Sequence, residues 1–494
     1  MFEVDPLWPK PLPNHWVLGG TIGVWVDEQD HVWVIHRGAG GGAGGLHDNE
    51  KGLELKPPIS ECCRTAPPIL VFDQAGNLVR SWGGPGPGYE WPEGAHGVHV
   101  DYKGNVWLGG NGKGDAHVLK FTKEGKFLMQ LGRYGKSGGS NDPENFGRVA
   151  KIWVDPKTNE AYIADGYGNR RVAVVDADTG KMKRYWGAYG NKPNDAPMGN
   201  YDPKAPPAQQ FRNPVHCVER SNDGLVYVCD RQGDRVQVFQ PEGKFVKEAF
   251  YAKETLASGS AWDITFSKDR EQRFMFLADG QNEKVRVILR ETLEEISNFG
   301  DGGRQPGQFY GVHSIATDSK GNLYTTETYE GKRVQKFVYK GLGSNLLKER
   351  KQTLAVAESS AGGLINAAFV AAPGASAWYL GGCVVYTGAS RPALLGIAPQ
   401  DMTGMRPASE PYAELLARRV RDRLGATWGL SETGASGPSG NRYGDKPGHA
   451  CIAVSGPIEA VITVETGSAD REANMWTFAR RALELFESCL RKAP

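Results

Sequence analysis

A strand pattern that returns along the first two-thirds of the chain limits its fold more than any other feature. In residues 93–118 a small or polar entry leads into an alternating apolar run that ends at Asp101, followed by a Gly/Asn turn and a second alternating run. Five further segments share the pattern: residues 22–27, 150–155, 216–221, 262–267 and 313–318. Alternation at period two predicts strands, and four-strand units recurring about every 40 to 70 residues are typical of propeller blades. The pattern therefore predicts an all-β, six-bladed propeller.

The first position of these units alternates between histidine and other residues. In chain order the position is occupied by Ile22, His96, Ala150, His216, Trp262 and His313. Equivalent positions on alternate blades of a closed ring are related by a rough three-fold axis, so the three imidazoles should meet at the channel axis. The chain has only 10 His, so this spacing favours a three-His metal site with zinc as the expected ion. Packing of the channel rim is the alternative interpretation.

Charge and apolar runs exclude several classes of partner. The chain has 58 basic and 57 acidic residues and a formal net charge of +1, which argues against a nucleic acid or an anionic membrane as partner. No apolar run approaches the roughly 18 residues of a membrane span, and residues 1–16 lack the basic and apolar regions of a signal peptide. The sequence predicts a soluble, cytoplasmic protein that acts on a small molecule or a peptide.

The seven cysteines do not form the framework of a disulfide-rich protein. Two pairings are possible: Cys217 with Cys229 across a hairpin, and Cys62 with its neighbour Cys63. Reduced, buried thiols are the favoured interpretation, because disulfides are rare in the cytoplasm.

The two ends of the repeat region differ. Residues 12–20 resemble the ends of later blades, whereas the last blade stops after residues 333–339 without an outer strand. The N-terminal strand is therefore expected to complete that blade and close the ring. Residues 38–63 form a long Gly-rich insertion beside one channel mouth, which favours a functional loop.

Local motifs add a family resemblance over residues 14–340. They are a Val–Asp strand at residues 24–27 followed by His36-Arg37-Gly38, then His96-Gly97-Val98, and then Ala164-Asp165-Gly166-Tyr167. With these motifs the chain resembles the NHL-repeat propellers, and in particular peptidyl-α-hydroxyglycine α-amidating lyase. The resemblance implies a zinc ion on His96, His216 and His313.

The same resemblance implies further roles. Arg37 and Tyr167 would be the catalytic pair, and the backbone carbonyls of Val24 and Val98 would bind a structural calcium ion. The chain departs from the family at Ser314, where the family has the calcium-binding Asp, and also at Gly311 and Gly168. These departures weaken the case for calcium.

The chemistry of these residue types supports a metal site independently. Three neutral imidazoles leave the fourth position of zinc open, so the ion can polarise a hydroxyl group or a water molecule. Tyr167 could accept a proton if the ion and Arg37 favour its phenolate, and Arg37 could clamp a carboxylate. The set suits metal-assisted C–N cleavage of a carbinolamide that carries a carboxylate.

The pattern changes after Tyr339. Residues 341–351 are a polar linker between domains at 1–340 and 352–494. The second domain alternates predicted strands, at residues 353–357, 383–386, 427–431, 450–454 and 460–464, with predicted helices at residues 363–372, 410–424 and 471–492. This alternation predicts a three-layer α/β domain.

A loop of small residues follows the first of these strands. Its members Ser359, Ser360, Gly362 and Gly363 would let backbone N–H groups at a helix N-terminus approach a phosphate. A second polar loop, residues 431–448, follows another strand and is expected to close the same crevice.

Together these loops resemble the C-terminal domain of the CinA family, the nicotinamide-mononucleotide amidohydrolases. The resemblance covers residues 352–490. It implies that Ser376 is the nucleophile and that Tyr386 corresponds to the tyrosine of the family's Tyr-Ser-x-x-x-Lys motif. Arg391 stands where the family has the lysine that takes the serine proton. A guanidinium does not act as a base, so Arg391 is expected to contribute to substrate or phosphate binding, and Ala361 removes a further hydroxyl donor.

Three functions remain open from the sequence. The propeller could hold a metal-dependent lyase or hydrolase site. The second domain could be a nucleotide amidohydrolase with the propeller as an accessory. Alternatively, a non-catalytic propeller could bind peptides while the second domain binds a pyridine nucleotide, and the two halves need not cooperate.

Overall fold

The computed structural model describes residues 2–38, 44–340, 346–348, 350–372 and 374–493. These residues form two compact units, one spanning residues 2–339 and the other beginning at Lys340. Most of the predicted linker and part of the Gly-rich insertion lie outside the described residues. Within the described ranges, no helix has the length and apolar character needed to cross a membrane.

The first unit contains six four-stranded antiparallel sheets and one short two-stranded parallel sheet. Blade 1 contains β3 (Thr21–Val26), β4 (Val32–His36), β6 (Ile69–Phe72) and β7 (Leu78–Trp82). Blade 2 contains β8 (Ala95–Val100), β9 (Asn105–Gly110), β10 (His117–Thr122) and β11 (Phe127–Gly132). Blade 3 contains β12 (Val149–Asp155), β13 (Glu160–Asp165), β14 (Arg171–Asp176) and β15 (Met182–Trp186).

The remaining blades repeat this arrangement. Blade 4 contains β16 (Val215–Arg220), β17 (Val226–Asp230), β18 (Arg235–Phe239) and β19 (Phe245–Phe250). Blade 5 contains β20 (Asp263–Phe266), β21 (Phe274–Asp279), β22 (Lys284–Leu289) and β23 (Glu294–Phe299). Blade 6 contains β24 (Val312–Thr317), β25 (Leu323–Glu327), β26 (Val334–Tyr339) and the N-terminal β1 (Phe2–Asp5). The predicted six-bladed propeller is confirmed.

The aspartate that ends the repeated pattern holds the hairpin that follows it. The carboxylate of Asp101 accepts hydrogen bonds from the Asn105 backbone N–H at 2.8 Å and from the Trp107 indole at 2.9 Å. Asp27 makes the equivalent bonds to the His31 backbone N–H and the Trp33 indole, both at 3.0 Å. Each bond satisfies a donor that the tight turn or the buried ring would leave unpaired.

The N-terminal strand closes the ring, although not through the predicted residues. Phe2 pairs with Tyr339 and Asp5 with Lys336 in the antiparallel β1–β26 ladder. The assignment of residues 12–20 to this outer strand is wrong, since β2 (Trp16–Val17) pairs in parallel with β5 (Arg64–Thr65) instead. Phe2 anchors the correct strand because its ring packs 5.3 Å from that of Phe276.

Four cysteines form two disulfides, which corrects the expectation of reduced thiols. Cys217 and Cys229 face each other across β16 and β17, with their Cα atoms 4.8 Å apart. Cys62 is bonded to Cys63. The cross-strand register of the first pair is the physical reason for its formation, because it holds the two Cβ atoms within reach of each other.

The second unit contains a five-stranded sheet in the order β28-β27-β29-β30-β31. Its strands are β27 (Leu354–Glu358), β28 (Tyr379–Val384), β29 (Trp428–Ala435), β30 (His449–Ser455) and β31 (Ala460–Glu465). Its helices are α1 (Leu364–Val370), α2 (Ser390–Leu395), α3 (Glu410–Leu424) and α4 (Arg471–Lys492). Strand β27 is parallel to β28 and β29, and the last three strands are antiparallel.

The helices cover both faces of this sheet. Ile365 of α1 and Phe486 of α4 share one core with Val356, whereas Leu395 of α2 and Leu416 of α3 pack in the opposite core. The predicted three-layer α/β domain is therefore confirmed. The strand predicted at residues 383–386 begins earlier, at Tyr379, and ends at Val384. The sequence did not predict the first part of this strand because Gly381 and Gly382 lie in it, and glycine has low strand propensity.

Candidate functional site

Three histidines from three different blades meet in the propeller channel. His96, His216 and His313 are each the second residue of an inner strand, β8, β16 and β24, and are 2 to 3% exposed. The ring centroids lie 4.8 to 5.2 Å apart, and one ligand atom from each ring lies within 4.8 Å of the other two. Among the described residues, this is the one group of three potential ligand side chains close enough to share an ion.

The alternate blades orient these three rings. His96 Nδ1 lies 2.7 Å from the Ala150 carbonyl oxygen, His216 Nδ1 lies 2.5 Å from that of Trp262, and His313 Nδ1 lies 2.7 Å from that of Ile22. Ala150, Trp262 and Ile22 are the non-histidine residues at the same repeat position. A carbonyl only accepts hydrogen bonds, so each Nδ1 carries the proton and each Nε2 keeps its lone pair, as in histidines that bind metals through Nε2.

Glycine permits the contact between His96 and Ala150. Gly97 has φ of +65°, and a Cβ atom at this position would lie 2.4 Å from the same Ala150 carbonyl oxygen. Any other residue would push the two blades apart at the point where the imidazole is held. The His-Gly pair of the sequence motif therefore has a steric basis.

Burial keeps the three imidazoles neutral. It lowers the pKa of His313 to about 3, and the nearby positive charges of Arg231 and Arg37 act in the same direction. Burial, together with His313 and an arginine, holds the pKa of His96 and of His216 well below its usual value. Neutral rings whose Nε2 lone pairs are free of protons are the form that coordinates a cation.

Tyr167 reaches the centre of this cluster. Its hydroxyl lies 3.1 Å from His96 Nε2 and 3.0 Å from His216 Nε2. The residue follows β13, and Gly166 lets its loop approach β16, since a Cβ atom there would lie 2.1 Å from the Val215 carbonyl oxygen. A hydroxyl donates one proton, so the cluster has more acceptor lone pairs than donors. The donor set therefore fits a bound cation.

Arg37 lies at the same mouth of the channel and makes hydrogen bonds to blade 2. It follows β4, and its guanidinium donates to the Asn111 side chain and, at 3.5 Å, to the Ala95 carbonyl. Burial lowers its pKa, an effect that the neighbouring Tyr167, Tyr329 and Asp115 oppose. The structure therefore brings the predicted pair into one charged environment.

A second arginine, which the sequence analysis missed, contacts Tyr167 directly. Arg231 Nη1 donates to the Tyr167 hydroxyl at 3.1 Å, and its guanidinium stacks 4.6 Å from the centre of the Trp262 ring. Arg231 immediately follows β17, as Arg37 follows β4 and Asn111 follows β9. Comparing the residues just after the second strand of each blade would have identified it.

A cavity of about 570 Å³ adjoins these loops. Its lining includes Gln232, next to Arg231, and two arginines, Arg170 and Arg212. Arg170 Nε donates to the Asn213 side chain at 3.1 Å, and Asn213 in turn donates to the Gly166 carbonyl at 2.7 Å. The cavity wall and the Tyr167 loop are thus parts of one hydrogen-bonded network.

The loop predicted to bind phosphate in the second unit is engaged by two buried carboxylates. Glu432 accepts from the backbone N–H groups of Ser359 and Ala361 at 3.1 and 2.8 Å, and from the Ser360 hydroxyl. Glu358 accepts from the N–H groups at the start of α1, those of Ile365 and Asn366. Gly362 and Gly363 form the turn between these two sets, with φ of +68° and +104°. A phosphate would have to compete with these carboxylates for the amides.

The predicted catalytic residues of the second unit are separated. Ser376 is exposed and lies before β28, whereas Tyr386 follows the end of β28. The six residues of that strand span about 20 Å. Tyr386 is 60% exposed and accepts a hydrogen bond from Arg471 at 3.0 Å, and Arg391 stacks 5.1 Å from the Tyr412 ring. Within the chain, Ser376 does not share a site with Tyr386 and the small-residue loop.

Comparison with known proteins gives different matches for the two units. Residues 339–490 match the family model of the CinA C-terminal domain. A CinA-like protein of Prochlorococcus marinus (strain MIT 9313) is 40% identical over 113 residues, which are 23% of this chain and 26% of that protein. One of Gloeobacter violaceus is 43% identical over 114 residues, which are 23% of this chain and 27% of the relative. The chain thus spans about a quarter of the length of these curated relatives.

A solved structure also aligns with the propeller. It is a catalytically inactive virginiamycin B lyase of Staphylococcus aureus with quinupristin, and the alignment has a TM-score of 0.39 and 15% identity, covering 68% of this chain and 89% of that one. The six-bladed fold of this chain is established by its strand pairing.

Proposed function

We propose that the propeller binds one zinc ion through His96, His216 and His313 and cleaves the C–N bond of a carbinolamide that carries a carboxylate. The observation that supports this most directly is the geometry of the three rings. Their Nδ1 protons are directed to carbonyls, and their ligand atoms lie within 4.8 Å of one another. The resemblance of the motifs to an amidating lyase supplies the reaction class.

The residues around the three histidines support the proton transfers. When bound, zinc supplies a positive charge that polarises the substrate hydroxyl. The oxygen of Tyr167, which Arg231 contacts, takes the hydroxyl proton, and the C–O bond becomes a carbonyl as the electrons of the C–N bond leave with the amide nitrogen. That nitrogen receives the proton from Tyr167, so the products are a primary amide and an α-oxo acid.

The arginines hold the substrate in this arrangement. Arg231 donates to Tyr167 at 3.1 Å and stabilises negative charge on its oxygen. Arg37, which follows the second strand of blade 1, binds the carboxylate in this proposal. The peptide or acyl part extends into the cavity beside Arg170 and Arg212. Burial of the histidines excludes bulk water from the reacting atoms.

Metal analysis of the purified full-length protein tests this proposal. One equivalent of zinc is expected, and His216→Ala should lose most of it, because two imidazoles leave the tetrahedral set incomplete. His99→Gln is the matched control, since His99 is also buried on an inner strand but lies outside the histidine cluster. Protein without stoichiometric zinc, or a His216→Ala variant that keeps it, would favour a binding propeller instead.

The second unit supports a separate and narrower proposal. Its match to the CinA C-terminal domain favours a pyridine nucleotide as ligand, whereas the position of Ser376 and the presence of Arg391 favour binding without efficient hydrolysis. Calorimetry with nicotinamide mononucleotide should give heat of binding, and the same ligand should show no rapid deamidation. Fast turnover that Ser376→Ala abolishes would contradict this proposal.

A further inference from the structure

A buried lysine occupies the propeller channel beside the three histidines. Lys151 is on β12, next to Ala150, whose carbonyl orients His96. Its ammonium donates to Asp263 Oδ1 at 2.7 Å, to Glu219 Oε2 at 2.9 Å and to the Ile264 carbonyl at 3.1 Å. All three charged side chains are buried. The ammonium therefore links blades 3, 4 and 5 at the channel wall.

This lysine lies where the sequence resemblance implies a calcium ion. Val24 and Val98, the residues with the implied carbonyl ligands, line the same small cavity as Lys151, Asp263 and the three histidines. Calcium takes six to eight oxygen ligands, usually including carboxylates. The position where the family has an aspartate is Ser314 in this chain, so one carboxylate of the expected set is missing.

The carboxylate of Asp263, at the implied calcium position, already has hydrogen-bond partners. One oxygen of Asp263 accepts from Lys151, and the other accepts from the Ser314 hydroxyl and from the Ile315 backbone N–H at 3.2 Å. Ser314 thus joins blade 6 to the same network. The Ile264 backbone N–H also donates to the first oxygen, at 2.9 Å. These four donors occupy the acceptor sites of the Asp263 carboxylate that a divalent ion would need, so the residues present do not fit calcium.

From this arrangement we infer that the ammonium of Lys151 replaces the structural calcium ion, as a permanent cation that joins blades 3 to 6 through Glu219, Asp263 and Ser314. Burial opposes the charge, but Asp263 and Glu219 outweigh it and raise the pKa of Lys151 above its ordinary value. Because this cation is covalently part of the chain, the fold does not depend on calcium concentration. The inference does not rest on zinc binding or on the proposed reaction.

Thermal unfolding and metal analysis of the full chain test the inference. After dialysis against millimolar calcium chloride, the wild-type protein should retain less than about 0.1 equivalent of calcium, and its unfolding midpoint should not rise. Zinc is measured in the same sample, so a failure of the zinc proposal is visible separately. Stoichiometric calcium in the wild type, or a midpoint that rises with calcium, would overturn the inference.

Removal of the Lys151 ammonium is a second test of the same inference. Lys151→Met keeps most of the side-chain volume but leaves two buried carboxylates unpaired, so the midpoint should fall by about 5 °C or more. Lys120→Met is the matched control, because the buried ammonium of Lys120 donates to the Ala177 carbonyl rather than to a carboxylate. A Lys151→Met protein that is no less stable than the Lys120→Met protein would contradict the inference. If Lys151→Met does not fold, the calcium measurements on the wild type still decide the question.

Discussion

In the propeller, three histidines from separate blades have their ligand atoms within 4.8 Å of one another, whereas in the C-terminal unit two motif residues close in sequence lie at opposite ends of β28. The difference follows from how each fold uses its strands. A closed ring turns equivalent positions of distant repeats toward one axis. In an open sheet, the residues before and after one strand lie at opposite ends of that strand. Only the carboxyl ends of parallel strands share a crevice.

The two units also differ in what surrounds the motif residues. In the propeller, the Nε2 atoms of His96 and His216 share a single hydroxyl, that of Tyr167, which leaves acceptor capacity for a cation. In the C-terminal unit, carboxylates from within the unit already accept from the loop amides. The first site is therefore organised toward an added ligand, and the second is internally satisfied.

Removing the Tyr167 hydroxyl should produce the largest effect. Tyr167→Phe keeps the three imidazoles, so zinc should remain, while the rate of carbinolamide cleavage should fall by about 10²–10⁴-fold because the proton acceptor is lost. Zinc content and single-turnover rates measure the two effects. Tyr386→Phe, in the other unit, is the control and should change neither. Equal losses of activity in both variants would remove the distinction between the units.

The carboxylate inside the loop of the second unit should make the stability of that unit depend on pH. Burial raises the pKa of Glu432 to about 7, against hydrogen bonds from Ser360, Ala361 and Ser359 that lower it. The folded state therefore holds a proton that the unfolded state releases near pH 4.5. This stabilisation is complete below that pH and is lost as the pH rises through about 7, a change of up to about 3 kcal/mol.

Calorimetry between pH 5 and pH 8 checks this expectation. The unfolding transition of the C-terminal unit should move to lower temperature as the pH rises, and Glu432→Gln should flatten the dependence. Glu484→Gln serves as the control, because Glu484 is exposed on α4 and pairs with Arg480 and Arg481, which do not titrate in this range. An unchanged pH dependence in Glu432→Gln would show that Glu432 is not the titrating group.

The N-terminal strand should affect only the propeller. Deleting residues 1–5 removes β1, exposes the edge of β26 and removes the packing of Phe2 on Phe276. The propeller transition should lose about 2 kcal/mol, the order of one aromatic burial, while the C-terminal transition stays in place. Phe2→Ala with the strand retained separates the packing from the ladder. An unchanged propeller transition would show that the ring does not depend on this strand.

The smallest effect is expected at Ser376. The side chain is exposed and lies away from Tyr386, so Ser376→Ala should change the free energy of unfolding by less than about 0.5 kcal/mol. The heat of nicotinamide-mononucleotide binding should also be unchanged. A large loss of binding in this variant would mean that Ser376 reaches the nucleotide despite its place before β28.

The sequence by itself determined the repeat, and with it the first position of each inner strand and the three histidines. Alternation and turn residues act over a few positions, and ring closure then brings equivalent positions together without further information. The layers of the second unit were predictable for the same reason, since the periodicity of each segment is local. The glycines of two sequence motifs, Gly97 and Gly166, are also required locally, because each allows a close approach to the next blade.

Contacts between blades and between strand ends were decided only by the tertiary structure. Arg231 at Tyr167, Lys151 between Glu219 and Asp263, and the Phe2–Asp5 strand all depend on which segments face each other after closure. The separation of Ser376 from Tyr386 depends on the direction of β28. These outcomes are set by long-range packing and by buried charges that need partners, and neither leaves a periodic signal along the chain.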